Sequence, residues 1–82
     1  MEKPWFVYLL ECVDGTLYTG VTTDLERRVE EHNSSIKGAK YTKVRRPVVL
    51  RYSESFESRS EAQKREYELK SLDRAEKLRL FS

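Results

Sequence analysis

The chain has 82 residues, 38% apolar and 37% charged, with sixteen Lys and Arg against fourteen Asp and Glu and a net charge of +2. That length makes one domain, expected to span residues 1–82, which buries only about 60% of its unfolded surface. Its one cysteine, Cys12, excludes an internal disulfide and gives no reason to expect secretion, while no apolar stretch approaches the ~20 residues of a membrane-spanning helix. A cytoplasmic protein with no membrane partner is therefore expected.

Trp5 to Cys12, "WFVYLLEC", is the most apolar run and reads as a strand buried on both faces, placed centrally in a small antiparallel sheet. Asp14-Gly15 turns the chain, and Thr16 to Val21 returns it. Two registers are open for this hairpin. A two-residue turn pairs Tyr8 with Val21 and sets Tyr8 and Tyr18 on opposite faces. A three-residue loop, Val13-Asp14-Gly15 with Gly15 left-handed, pairs Tyr8 with Gly20 and Leu10 with Tyr18, so both phenols share one face.

"TDLE" at Thr23 to Glu26 matches a capping box and opens a helix to about Asn33, whose buried stripe contains Leu25 and Val29. Arg28 and His32 follow Leu25 by three and seven residues, so both lean inward, while Arg27 points away. Taken on position alone, side chains at the edge of the stripe with their tips in water are the slightly favoured reading. The stretch that follows reads as a loop around Gly38. Within it and beyond, Ser35 to Arg51 carries six basic residues and no acidic one, a modest nucleic-acid signal.

Pro47 precedes a third strand, "VVLRYSESF". "SRSE" at Ser58 to Glu61 opens a second helix through Leu72, and Asp73 with Glu76 opens a short last one. Glu66 borders the inner stripe of Ala62, Leu69 and Leu72, where a helix this charged also places glutamates by chance. The expected fold is α+β: a three-stranded antiparallel sheet flanked by helices in the order β-β-α-β-α-α. One His and one Cys exclude a structural zinc site.

The motifs together resemble the GIY-YIG nuclease superfamily, most closely its stand-alone single-domain bacterial members. "VYL" at Val7 to Leu9 and "YTG" at Tyr18 to Gly20 look like the two half-motifs, and "TTDLERRVEEH" looks like the helix that follows, with Arg28 ten residues after Tyr18. "GAKYT" and "SRSEA…KREYELK" resemble stretches of the same members, although the first half-motif has Val-Tyr where the family name has Ile-Tyr. The resemblance implies an endonuclease that hydrolyses phosphodiester bonds in DNA with one divalent metal, Mg²⁺ or Mn²⁺, on branched or damaged structures in repair or recombination. It implies Tyr8, Tyr18, Arg28, His32 and Glu66 as catalytic residues, with Glu66 on the metal. Tyr8 would be the general base or its partner, its phenol lowered by cations or metal from an ordinary pKa of ~10. Tyr18 would orient water or phosphate, Arg28 would meet transition-state charge, and His32 would accept or relay a proton. Lys40, Tyr41, Lys43, Arg45 and Arg46 would contact nucleic acid, with Tyr41 stacking on a base, though a solvated loop explains them equally. RNA stays open as a substrate, and a protein partner or a dimer is expected to add specificity. The competing reading is a non-catalytic nucleic-acid-binding module that has kept the fold.

Overall fold

The computed structural model describes residues 3–81; Met1, Glu2 and Ser82, which the expected domain includes, lie outside the described residues. Strand β1 (Trp5–Glu11) is central, with β2 (Leu17–Thr22) and β3 (Val49–Phe56) antiparallel on either side. Between β2 and β3 lie helix α1 (Leu25–Ser34) and the single turn α2 (Lys40–Lys43); α3 (Arg59–Lys70) and α4 (Arg74–Leu78) close the chain. The α+β order matches expectation apart from α2, which falls where a loop is expected. Four residues are too few to establish a helical period.

The hairpin takes the three-residue loop. Gly15 has φ +84°, the Cys12 amide donates to the Thr16 carbonyl at 2.8 Å, and the Gly15 amide donates back to Cys12. Tyr8 accordingly pairs with Gly20 and Leu10 with Tyr18. A side chain at position 15 would strain a backbone that glycine adopts freely.

Alternation then divides β1 between two layers. Tyr8, Leu10 and Cys12 form one core cluster with Val48, packed by Tyr18, Leu25 and Val29 from β2 and α1. Val7 and Leu9 are equally buried and face the other way, where α3 lies across β1 and β2 with Ala62 and Leu69 buried. A strand covered on both sides must be apolar throughout, which is why Trp5 to Cys12 reads as it does.

Helix α1 begins one residue later than the capping box implies. Asp24, not Thr23, is the N-cap, and its carboxylate accepts the Arg27 amide at 3.1 Å. A charged acceptor at the positive end of a helix outcompetes a threonine hydroxyl one residue earlier. Ser58 caps α3 as expected, although the Glu61 carboxylate accepts the Ser58 hydroxyl instead of its amide. Asp73 and Glu76 form the complete reciprocal box.

Candidate active site

Tyr8 leaves the central strand and lies directly over Gly20 on β2. A Cβ at position 20 would collide with the end of the Tyr8 ring. The glycine after the second tyrosine is thus the trough that lets the first one lie across β2 on the face covered by α1. There the Tyr8 hydroxyl meets His32 Nε2 at 2.9 Å, and both side chains are buried.

His32 sits on the inner face of α1 and is fully enclosed. Its Nδ1 contacts the Thr42 hydroxyl at 2.8 Å, and the Ala39 amide points at the same nitrogen from 3.4 Å. Tyr18 covers the imidazole edge-on, with ring centroids 5.2 Å apart. Arg28, one turn earlier on α1, donates to Glu31 at 3.0 Å and to the Lys37 carbonyl at 2.8 Å. Of the two placements open for Arg28 and His32 at the level of sequence, the histidine takes the buried one and the arginine is half-buried.

Burial dominates the electrostatics. It pushes the Tyr8 phenol up to about 12; the Arg28 guanidinium pulls it down, and the charges of Tyr18 and Glu66 push it up. The protein's own cations therefore do not lower the phenol: the arginine is present, but taking a phenolate out of water costs more than it returns. Burial also drives His32 down to about 4, helped by Arg28 and Arg46 and opposed by Glu31. The resting pair is therefore a neutral phenol hydrogen-bonded to a neutral imidazole.

Glu66 comes from α3, half-buried beside the Ala62 and Leu69 stripe as its position implies, and pairs with the exposed Lys70 ammonium at 3.4 Å. Its charge reaches Tyr8. Among the described residues no cluster of three or more His, Cys, Asp or Glu is arranged to hold a metal.

The basic stretch divides. Arg46 donates to the carbonyls of His32 at 2.6 Å and Ser35 at 2.6 Å, and so closes the C-terminal end of α1. Asn33 completes that closure, since its side-chain amide exchanges two hydrogen bonds with the Val48 backbone at 3.0 and 2.6 Å. Arg45 binds Asp14 at 3.1 Å and lies 3.9 Å over the Tyr41 ring, which also stacks on Tyr18. The Tyr41 ring is thus engaged within the protein. Lys40 and Lys43 are exposed and make no ion pair among the described residues. Thr42 is the contact that sequence reasoning overlooks; its one signal is that it stands three residues after Ala39, within reach of that carbonyl.

Comparison with known proteins identifies the family. The family model described as the GIY-YIG catalytic domain matches residues 4–79. The chain belongs to the GIY-YIG family. It is similar to a UPF0213 protein of Desulfotalea psychrophila, 61% identical over 87% of this chain and 66% of that one, so this chain spans just under two thirds of that relative. A UPF0213 protein of Halobacterium salinarum is also 61% identical, over 92% of this chain and 96% of that one. Two solution NMR structures share the fold. One is a UPF0213 protein of Bacillus halodurans, with TM-score 0.58 and 49% identity over 94% of this chain and 81% of that one. The other is a protein of E. faecalis, with TM-score 0.64 and 45% identity over 96% and 84%. Membership of this nuclease family implies a nucleic-acid substrate. Among the described residues no helix is long and apolar enough to cross a membrane.

The larger concavities described lie away from the site residues. Two concavities of about 410 Å³, lined between them by residues such as Pro4, Trp5, Phe56 and Arg59, do not include Tyr8, Tyr18, Arg28, His32 or Glu66. A polymer backbone, unlike a small molecule, needs no enclosed pocket.

Proposed function

We propose that this GIY-YIG domain is a divalent-metal-dependent endonuclease that hydrolyses phosphodiester bonds in DNA, on branched or damaged structures arising in repair or recombination. The observation that carries this reading is the buried hydrogen bond between Tyr8 and His32 with Arg28 beside it. A purely structural core gains little from burying a phenol and an imidazole beside a half-buried guanidinium where apolar side chains would pack.

Glu66 would hold the metal. A single half-buried carboxylate fits Mg²⁺ or Mn²⁺, hard cations that keep most of their waters and complete their shell with phosphate oxygens. Lys70, which is well exposed, can release it at little cost. When bound, the cation would supply charge against the phosphate and the departing oxygen.

The chain's own residues handle the proton. A phenol near 12 ionises at neutral pH only at a cost of about 7 kcal/mol, from ~1.36 kcal/mol per pKa unit. Tyr8 therefore acts with His32: the phenol proton passes to Nε2 as the phenol oxygen takes a proton from the attacking water. The new hydroxide oxygen bonds phosphorus as the opposite oxygen leaves and is protonated by solvent. An arriving phosphate raises the proton affinity of His32. Arg28 faces the charge that develops. Lys40 and Lys43 hold flanking phosphates.

The test is cleavage of labelled branched, single-stranded and duplex DNA, with RNA controls, in Mg²⁺ or Mn²⁺ against chelator. Wild type and Glu66→Ala are run together. Metal-dependent cutting that is lost in Glu66→Ala while binding persists is the expected result. Binding without cutting by the wild type on every substrate would instead make the domain a nucleic-acid-binding module.

A further inference from the structure

The nuclease reading uses His32 Nε2 and leaves its other nitrogen unexplained. That nitrogen, Nδ1, faces Thr42 at 2.8 Å. The Thr42 hydroxyl has one proton and a second close neighbour, the Ala39 carbonyl at 2.9 Å, which can only accept. If the hydroxyl donates to the carbonyl, it presents a lone pair to Nδ1. The imidazole must then carry its proton on Nδ1, and Nε2 is bare toward the Tyr8 hydroxyl at 2.9 Å. Every short contact in the chain is then satisfied by one proton: Tyr8 to His32, His32 to Thr42, Thr42 to Ala39. In the opposite tautomer the Thr42 and Ala39 oxygens would face each other at 2.9 Å without a proton between them; the Ala39 amide, which points at Nδ1 from 3.4 Å, favours that tautomer, but it is the longest of these contacts and gives up the least.

We infer that Thr42 is a positioning residue: its hydroxyl, anchored on the Ala39 carbonyl, fixes His32 in the Nδ1–H tautomer, so that Nε2 accepts the Tyr8 proton. The inference rests on the nuclease reading only for its catalytic consequence. Thr42 is fully buried on α2, whose first turn also directs the Thr42 and Lys43 amides onto Ala39, so the hydroxyl has no water to turn toward. The one-turn helix therefore has a purpose beyond closing the loop, since it presents an oriented oxygen to the back of the imidazole.

His32 is the sole histidine, so a long-range ¹⁵N–¹H spectrum of the ring reports it without ambiguity. The wild-type protein, without nucleic acid and at a pH where the ring is neutral, should show the proton on Nδ1. Thr42→Ser should keep that spectrum. Thr42→Val, which removes the acceptor, should shift the tautomer ratio toward Nε2–H by about tenfold, the equivalent of one hydrogen bond of ordinary strength. A wild-type proton on Nε2 overturns the inference, as does a Thr42→Val spectrum identical to wild type. Should Thr42→Val fail to fold, the wild-type and Thr42→Ser spectra still decide, because either one showing the proton on Nε2 refutes it. In cleavage assays Thr42→Val should lose kcat with KM unchanged, and Thr42→Ser should restore it. Absence of cleavage by all three proteins would defeat the nuclease reading, while the ring spectra would still decide which nitrogen carries the proton.

Discussion

Protonating His32 should destabilise the protein. The ring is fully buried and its pKa is held near 4, against an ordinary 6.5. The folded value is the depressed one, so the histidine's contribution is complete above the unfolded pKa and is lost as pH falls toward the folded one. Between those values the unfolded chain binds a proton that the native chain refuses. From pH ~7.5 to pH ~5 the loss is about 2 kcal/mol, and the full titration amounts to about 3 kcal/mol, at ~1.36 kcal/mol per unit. The carboxyls of Asp14 and Glu31, held low by hydrogen bonds from Thr16 and Arg28 respectively, act in the same direction but chiefly below this window. Urea melts followed by circular dichroism across the window would measure the slope, and an NMR titration of the one imidazole would locate its pKa. His32→Asn should flatten the slope whatever it does to stability at neutral pH. A titration midpoint near 6.5, or a wild-type stability unchanged down to pH ~5, would refute the account of a neutral buried pair.

Gly20→Ala should cost about 1–3 kcal/mol in a thermal or urea melt, because the added carbon meets the Tyr8 ring, and should reduce cleavage further by turning the phenol away from His32. A melt identical to wild type would mean that the ring is not seated on the strand. Replacing Lys40 and Lys43 together by alanine should weaken nucleic-acid binding alike across sequences and make the log–log salt slope shallower by about 1.5–2. Arg46→Ala should behave differently, lowering stability by about 1–3 kcal/mol in a urea melt because it leaves the carbonyls at the end of α1 unpaired, with little change in salt slope.

Most of the fold was legible because its signals are local or pairwise. The density of apolar residues from Trp5 to Leu10 places β1 in the middle, and the demand that both tyrosines share a face selects the hairpin register that Gly15 then adopts. The inward lean of His32 followed from helix geometry alone. What sequence could not supply was the direction of side chains and the cost of burial. Arg45 and Arg46 look alike in the chain, yet one lies on an aromatic ring and the other closes a helix. The phenol of Tyr8 has the expected arginine beside it and still moves upward, because desolvation depends on what distant segments cover it. Thr42 was invisible for the same reason: its role exists only once α2 is folded back against α1.

The paired hydrogen bonds of Asn33 with Val48, together with Arg46 on the end of α1, pin both ends of the segment between them. Within that segment Thr42 and Ala39 face the imidazole and Tyr41 lies on Tyr18, so only the outer rim is free to vary. At that rim Ile36 is 88% exposed, so insertions there would alter the grip on nucleic acid while the tyrosines, the imidazole and the helix that carries it keep their places.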